Sequence, residues 1–201
     1  MIAIIDYDAG NIKSVEKAVQ SLGAECRLTR DREEILKADK VILPGVGAFG
    51  DAMKRLEEYG LIDTIHKVVD KGTPFLGICL GLQVMFDESE ESPGVKGLSL
   101  LPGKVVRFSG ADGLKVPQIG WNSLEVIKKS HLLKDIYSGA FVYFVHSYYV
   151  QADNKDDVIA TAQYGETADV AVEHGNIFGC QFHPEKSSSI GIKILNNFIN
   201  I

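Results

Sequence analysis

Short apolar runs alternate with one-faced helical patterns through the first eighty residues. Ile2 to Ile5 is a continuous apolar run of strand length. Asn11 precedes Ile12, Val15, Val19 and Leu22, whose spacing predicts an amphipathic helix with Asn11 as its cap. A short strand is expected near Cys26 to Leu28. Asp31, followed three residues later by Glu34, reads as a capping box opening the next helix. Val41-Ile42-Leu43 is a buried strand closed by Pro44. Leu61, Ile62, Ile65, Val68 and Val69 mark a further helix. Phe75 to Ile78 is a strand that runs into Cys79 and a helix over about residues 80 to 86. This rhythm predicts an α/β fold with a mainly parallel sheet and helices on both faces.

Beyond residue 100 the pattern changes. Val105 to Phe108, Trp121 to Ile127, Phe141 to Val150, Val158 to Gln163, Val170 to Glu173 and Phe178 to Phe182 all read as strands. Their short, turn-rich connections predict antiparallel additions to the sheet. A last helix, about residues 188 to 199, would bury Ile190, Ile194, Leu195 and Phe198. No linker or repeat interrupts the 201 residues, so one domain is expected over 1–201.

Composition narrows the function. With 45% hydrophobic and 24% charged residues, the chain resembles ordinary globular proteins. A net charge of -6 argues against a nucleic-acid partner, whose footprint is a basic patch. No apolar stretch has the length of a membrane span, and no basic leader precedes the first strand, so a cytoplasmic location is expected. Cys26, Cys79 and Cys180 are an odd number without close pairing. The histidines at 66, 131, 146, 174 and 183 are scattered, and neither C-x-x-C nor H-E-x-x-H occurs. No metal or cofactor is expected.

The chemistry concentrates in three places. Gly77-Ile78-Cys79-Leu80-Gly81 places a cysteine where a strand passes directly into a helix, flanked by glycines that relieve a sharp turn. A helix N-terminus facing the sulfur favours the thiolate, the reactive form. His183-Pro184-Glu185 supplies an imidazole for proton transfer. In an extended segment residues i and i+2 share a side, so Glu185 can orient His183. Pro44-Gly45-Val46-Gly47 follows a buried strand upstream of Cys79, where backbone N–H groups, with that of Leu80, can hold an oxyanion. Gly45, Gly47 and Gly50 also fit the dinucleotide pattern G-x-G-x-x-G. That pattern expects an acid ending the next strand, and here the next strand ends in Cys79.

Gly77-Ile-Cys79-Leu-Gly81-Leu-Gln83 together with Gln181-Phe-His183-Pro-Glu185 resembles the class I, triad-type glutamine amidotransferases. Asp6-Tyr-Asp-Ala-Gly10-Asn11, Pro44 to Gly50, Gly94-Val-Lys-Gly97, Pro117-Gln-Ile-Gly-Trp121-Asn122, His146-Ser-Tyr148 and His183 to Ser187 resemble, more narrowly, the glutaminase subunits of imidazole glycerol phosphate synthases. The resemblance implies Cys79 as nucleophile, His183 as acid and base, and Glu185 as its orienter. It further implies Val46, Gly47 and Leu80 as the oxyanion hole and Gln83, Ser147 and Tyr148 as glutamine-binding residues. Asn11, Trp121 and Lys186 would face a partner. That partner would be a (β/α)8-barrel cyclase, which takes ammonia and the ribulosyl intermediate PRFAR and forms imidazole glycerol phosphate and AICAR in histidine biosynthesis. Departures are small: Leu82 stands where methionine is common, and Cys180 precedes the Gln-Phe-His-Pro-Glu block as a possible second modifiable thiol. The triad alone does not separate this from a glutaminase of another pathway. A stand-alone cysteine peptidase or γ-glutamyl hydrolase of similar fold, and a nucleotide-binding module using the Gly45 loop, remain as rivals.

Overall fold

The computed structural model describes residues 1–201, the side chain of Asp112 excepted. The first half consists of β1 (Ile2–Ile5), α1 (Ile12–Ser21), β2 (Cys26–Thr29), α2 (Arg32–Lys37), β3 (Lys40–Gly45), α3 (Phe49–Glu58), α4 (Ile62–Asp70), β4 (Phe75–Cys79) and the short α5 (Leu80–Gln83). The second half adds β5 (Glu88–Ser89), β6 (Gly103–Arg107), β7 (Gln118–Ser123), β8 (Glu125–Val126), β9 (Phe141–His146), β10 (Tyr148–Ala152), β11 (Val158–Tyr164), β12 (Glu166–His174), β13 (Ile177–Cys180) and α6 (Ser188–Ile199).

The main sheet runs β2-β1-β3-β4-β13-β12-β10-β6-β5, with β11 against β12 and β8 against β11. From β2 to β13 every pairing is parallel. Pairing then turns antiparallel at β12, β10 and β6. The expected mainly parallel sheet with antiparallel additions is therefore present. Because β13 lies parallel to β4, the chain leaves both strands at the same sheet edge, where β1 and β3 also end. Cys79, Gly45 and the segment after Cys180 meet there.

The parallel strands β1, β3, β4 and β13 are apolar on both faces, as a sheet covered on both sides requires, while the edge strand β2 exposes Arg27. Alternate residues divide between two cores. Ile2, Ile4, Ile42, Leu76 and Ile78 pack with Val15 and Val19 of α1 and Ile194, Leu195 and Phe198 of α6. Ala3, Ile5, Val41, Leu43 and Phe75 pack with Ile35, Leu56, Ile65 and Val68 of α2 to α4. Each fully buried aliphatic or aromatic side chain contributes about 1.5–3 kcal/mol. Asp31 caps α2, accepting from the Glu34 amide at 3.0 Å.

Two expected strands are divided in ways that shape the site. The run from Phe141 to Val150 breaks at Ser147: β9 pairs with β7 in a separate two-stranded sheet, while β10 joins the main sheet. The run from Trp121 to Ile127 likewise divides into β7 and β8 in different sheets. β9 alternates in burial while β10 is buried on both faces apart from Gln151, and the apolar run continues through both, so periodicity alone does not reveal the change of sheet. The expected strand to Phe182 ends at Cys180. Among the described residues, no helix is long and apolar enough to cross a membrane.

Candidate active site

Cys79 ends β4 with φ 55 and ψ -111, a left-handed value rare for a residue with a Cβ. The turn is tight enough that a Cβ on Gly81 would lie 1.8 Å from the Leu43 carbonyl oxygen. Strain of this kind costs of order 1–3 kcal/mol and persists where the surrounding packing enforces it. The result is a sulfur held at the sheet edge, only 6% exposed. It borders a cavity of about 300 Å³. Val46, Gly47, Leu80, Gln83, Ser147 and Tyr148 all line that cavity with Cys79, so the expected oxyanion and glutamine-binding residues are brought together.

His183 and Glu185 follow β13, at the same sheet edge as Cys79, which acts on the charge of the His183 ring. His183 Nδ1 is 2.8 Å from Glu185 Oε1. The local geometry differs from the extended segment expected: Pro184 to Lys186 form a 3-10 turn. The proline at its first position favours this turn and swings Glu185 back onto the ring. Burial opposes the charged imidazole, but Cys79 and Glu185 outweigh it and raise the His183 pKa to about 9. His183 Nε2 and Glu185 Oε2 are buried without hydrogen-bond partners. The turn is held by the His183 amide donating to the Tyr143 carbonyl and Ser187 Oγ donating to the His183 carbonyl.

Asn11 occupies the N-cap of α1 but does not cap it. In a left-handed conformation, φ 67, it donates from Nδ2 to Glu185 Oε1 at 2.9 Å and accepts from Ser14 Oγ at 2.7 Å. Its side chain thus faces the carboxylate. Trp121 is half-exposed on β7, packed edge-on against Tyr143, and Lys186 is exposed at the end of the 3-10 turn.

The oxyanion loop has features that the sequence pattern does not show. Gly47 has φ 110, and among the described residues no hydrogen bond engages the Val46 or Gly47 amides. Just downstream, Glu91 accepts from the Phe49 amide and Ser92 from the Gly50 amide, anchoring the start of α3. Tyr7 lies beneath the loop, its buried hydroxyl unpartnered and its pKa raised, chiefly by desolvation. His146 is held neutral, lowered to about 4 by burial above all; Nδ1 donates to the Tyr148 carbonyl at 2.8 Å. Gln181, fully buried, has Nε2 3.6 Å from Cys79 Sγ. Cys180 is also fully buried, and its thiol pKa is raised, first by burial and then by Glu185 and Cys79, which disfavours modification. Among the described residues, no group of three or more His, Cys, Asp or Glu could hold a metal ion.

A thiol at a strand-to-helix elbow, beside a charged imidazole and unpaired backbone amides, is equipped for acyl transfer from an amide. The comparisons agree. A family model for glutamine amidotransferase class-I matches residues 3–201, and the chain belongs to that family. It is 53% identical to the imidazole glycerol phosphate synthase subunit HisH of Halalkalibacterium halodurans over 98% of this chain and 94% of that protein. It is 46% identical to the protein of the same name from Methanocaldococcus jannaschii, each covered in full. A crystal structure titled glutamine amidotransferase superposes with a TM-score of 0.77 at 22% identity, covering both chains fully, and so shows the same fold.

Proposed function

We propose that this chain is the glutaminase subunit of an imidazole glycerol phosphate synthase, which hydrolyses glutamine to glutamate and ammonia and works with a second subunit in histidine biosynthesis. Identity near 50% over essentially full length to proteins of that name supports the pathway. The observation that carries the chemistry is the left-handed elbow at Cys79, which holds the sulfur against the cavity.

In the reaction we assign to the site, the Cys79 thiolate attacks the side-chain amide carbon of glutamine. The resulting oxyanion is held by backbone N–H groups of Leu80 and of the Val46-Gly47 loop. His183, charged at neutral pH with its pKa near 9, gives its Nε2 proton to the leaving nitrogen, and ammonia departs. A γ-glutamyl thioester remains. Neutral His183 then takes a proton from water as that water attacks, glutamate leaves, and the Cys79 thiolate is restored. One imidazole serves as acid and then as base, oriented throughout by Glu185. Gln83, Ser147 and Tyr148 line the cavity as contacts for glutamine.

The partner we infer is a (β/α)8-barrel cyclase. An exposed apolar stripe crosses the two-stranded sheet: Trp121 pairs with Tyr143 and Ser123 with Phe141, with Ile119 exposed beside them. Such a patch marks an association surface. It adjoins the catalytic turn through the hydrogen bond between Tyr143 and His183, and Lys186 and Asn11 stand nearby as further contacts. Ammonia would pass within the complex, where it escapes protonation by bulk water. The test uses amide-15N glutamine and unlabelled ammonium with the reconstituted two-subunit complex. We expect 15N in the imidazole ring of the product. A product labelled no more than the free ammonium would refute delivery from this chain.

A further inference from the structure

We propose that Gln181 is a further catalytic residue: its side-chain NH2 donates a hydrogen bond to Cys79 Sγ and stabilises the thiolate. This rests on Cys79 being the nucleophile.

The geometry is a chain of amides whose polarity is set at one end. The Tyr148 carbonyl can only accept. It lies 2.9 Å from Gln83 Nε2, so the NH2 end of Gln83 must face it. The same nitrogen is 2.9 Å from Gln181 Oε1, and its second N–H goes there. Gln181 must then present oxygen to Gln83 and NH2 to Cys79 Sγ, 3.6 Å away. Reversing either amide would set two acceptors or two donors against each other. His146 reinforces the anchor: its ring is neutral, and the proton on Nδ1 is committed to the same Tyr148 carbonyl. Gln83 and Gln181 are 5% and 0% exposed, so water does not compete for these contacts.

A thioether or thiol sulfur is a weak acceptor, whereas a thiolate is a strong one. The bond therefore favours the charged sulfur over the protonated thiol and over the thioester. It acts twice in a cycle, holding the thiolate before attack and stabilising it as the leaving group when water cleaves the thioester. Gln181 and His183 come from the same segment, two residues apart, and differ in role: Gln181 keeps its proton beside the sulfur, whereas in the proposed reaction His183 gives its proton to the leaving nitrogen.

The test is the pH profile of Cys79 alkylation by iodoacetamide, read by peptide mass for the full chain. We expect Gln181→Leu to move the profile up by about one pH unit, the worth of one hydrogen bond to a charged group. Gln181→Glu, of nearly the same size, should move it further, because a carboxylate beside the sulfur opposes its charge. Glutamine turnover in the complex should fall in kcat more than KM rises. A folded variant with the wild-type profile overturns the proposal. The wild-type chain supplies a reading independent of any variant. The Gln181 side-chain amide resonances should shift as Cys79 titrates, and resonances indifferent to that titration would overturn it equally. Glutamine turnover surviving in Cys79→Ala would instead remove the nucleophile itself, a separate failure.

Discussion

Asn11 Nδ2 donates to Glu185 Oε1 at 2.9 Å, joining residues 174 positions apart in the chain. Glu185 Oε1 accepts from His183 Nδ1 as well, so one carboxylate oxygen ties the first helix to the imidazole. An asparagine at an N-cap ordinarily satisfies the backbone of its own helix. Here the helix gives up that bond, and the side chain serves the carboxylate instead.

Asn11→Gly separates these roles. Glycine accepts the left-handed conformation without strain, and no capping bond is lost. Thermal stability should change little, while kcat for glutamine falls roughly tenfold, as expected when a donor to a charged group is removed. A variant with unchanged kcat would show that the contact is only structural.

His183 and Glu185 set a pH dependence of stability. The folded pKa of His183, about 9, lies above its ordinary 6.5. The stabilisation from the charged ring is therefore fully present below pH 6.5 and is lost as pH rises through about 9. Glu185→Gln removes one of the charges that raise this pKa, so denaturant unfolding should show a shallower decline over that window. For turnover, His183→Ala should be more damaging than Glu185→Gln, which leaves the ring in place. A steeper pH decline in Glu185→Gln would contradict the assignment.

Gly47→Ala tests the oxyanion loop. A Cβ there meets nothing within 4 Å, so any effect comes from the backbone at φ 110. We expect about 1–2 kcal/mol of destabilisation and a loss of ~10² in kcat as the loop amide leaves its position. Calorimetry and steady-state kinetics on one preparation measure both. Wild-type kcat would remove this loop from the hole.

The apolar stripe predicts that Trp121→Ala weakens association with the cyclase by tenfold or more, the cost of a central aromatic anchor. Because Trp121 is 51% exposed, the isolated chain should melt within a degree or two of wild type. Titration calorimetry against the partner subunit decides it.

The parallel half of the fold was legible because β1, β3 and β4 are compact apolar runs buried on both faces. Cys79 stood out for the same reason: strand, cysteine and helix follow one another without a gap. The break at Ser147 was not legible. β9 alternates and β10 is buried on both faces apart from Gln151, yet the apolar run carries on from one into the other, and the corner that brings Ser147 to the cavity leaves no mark in the pattern. Gln181 leaves a faint signal, a polar side chain two residues before His183 in an otherwise apolar run. The contact between Asn11 and Glu185 depends on the strand order that places β1 and β13 on one sheet edge, and local sequence does not encode that order.

The central claim is that this chain makes ammonia from glutamine at Cys79. Cys79→Ala in the reconstituted complex tests it, with synthesis of the imidazole product measured first with glutamine and then with ammonium chloride as nitrogen source. We predict that glutamine-dependent synthesis falls to background while ammonia-dependent synthesis stays at the wild-type rate. Glutamine-dependent synthesis persisting in the variant would contradict the account.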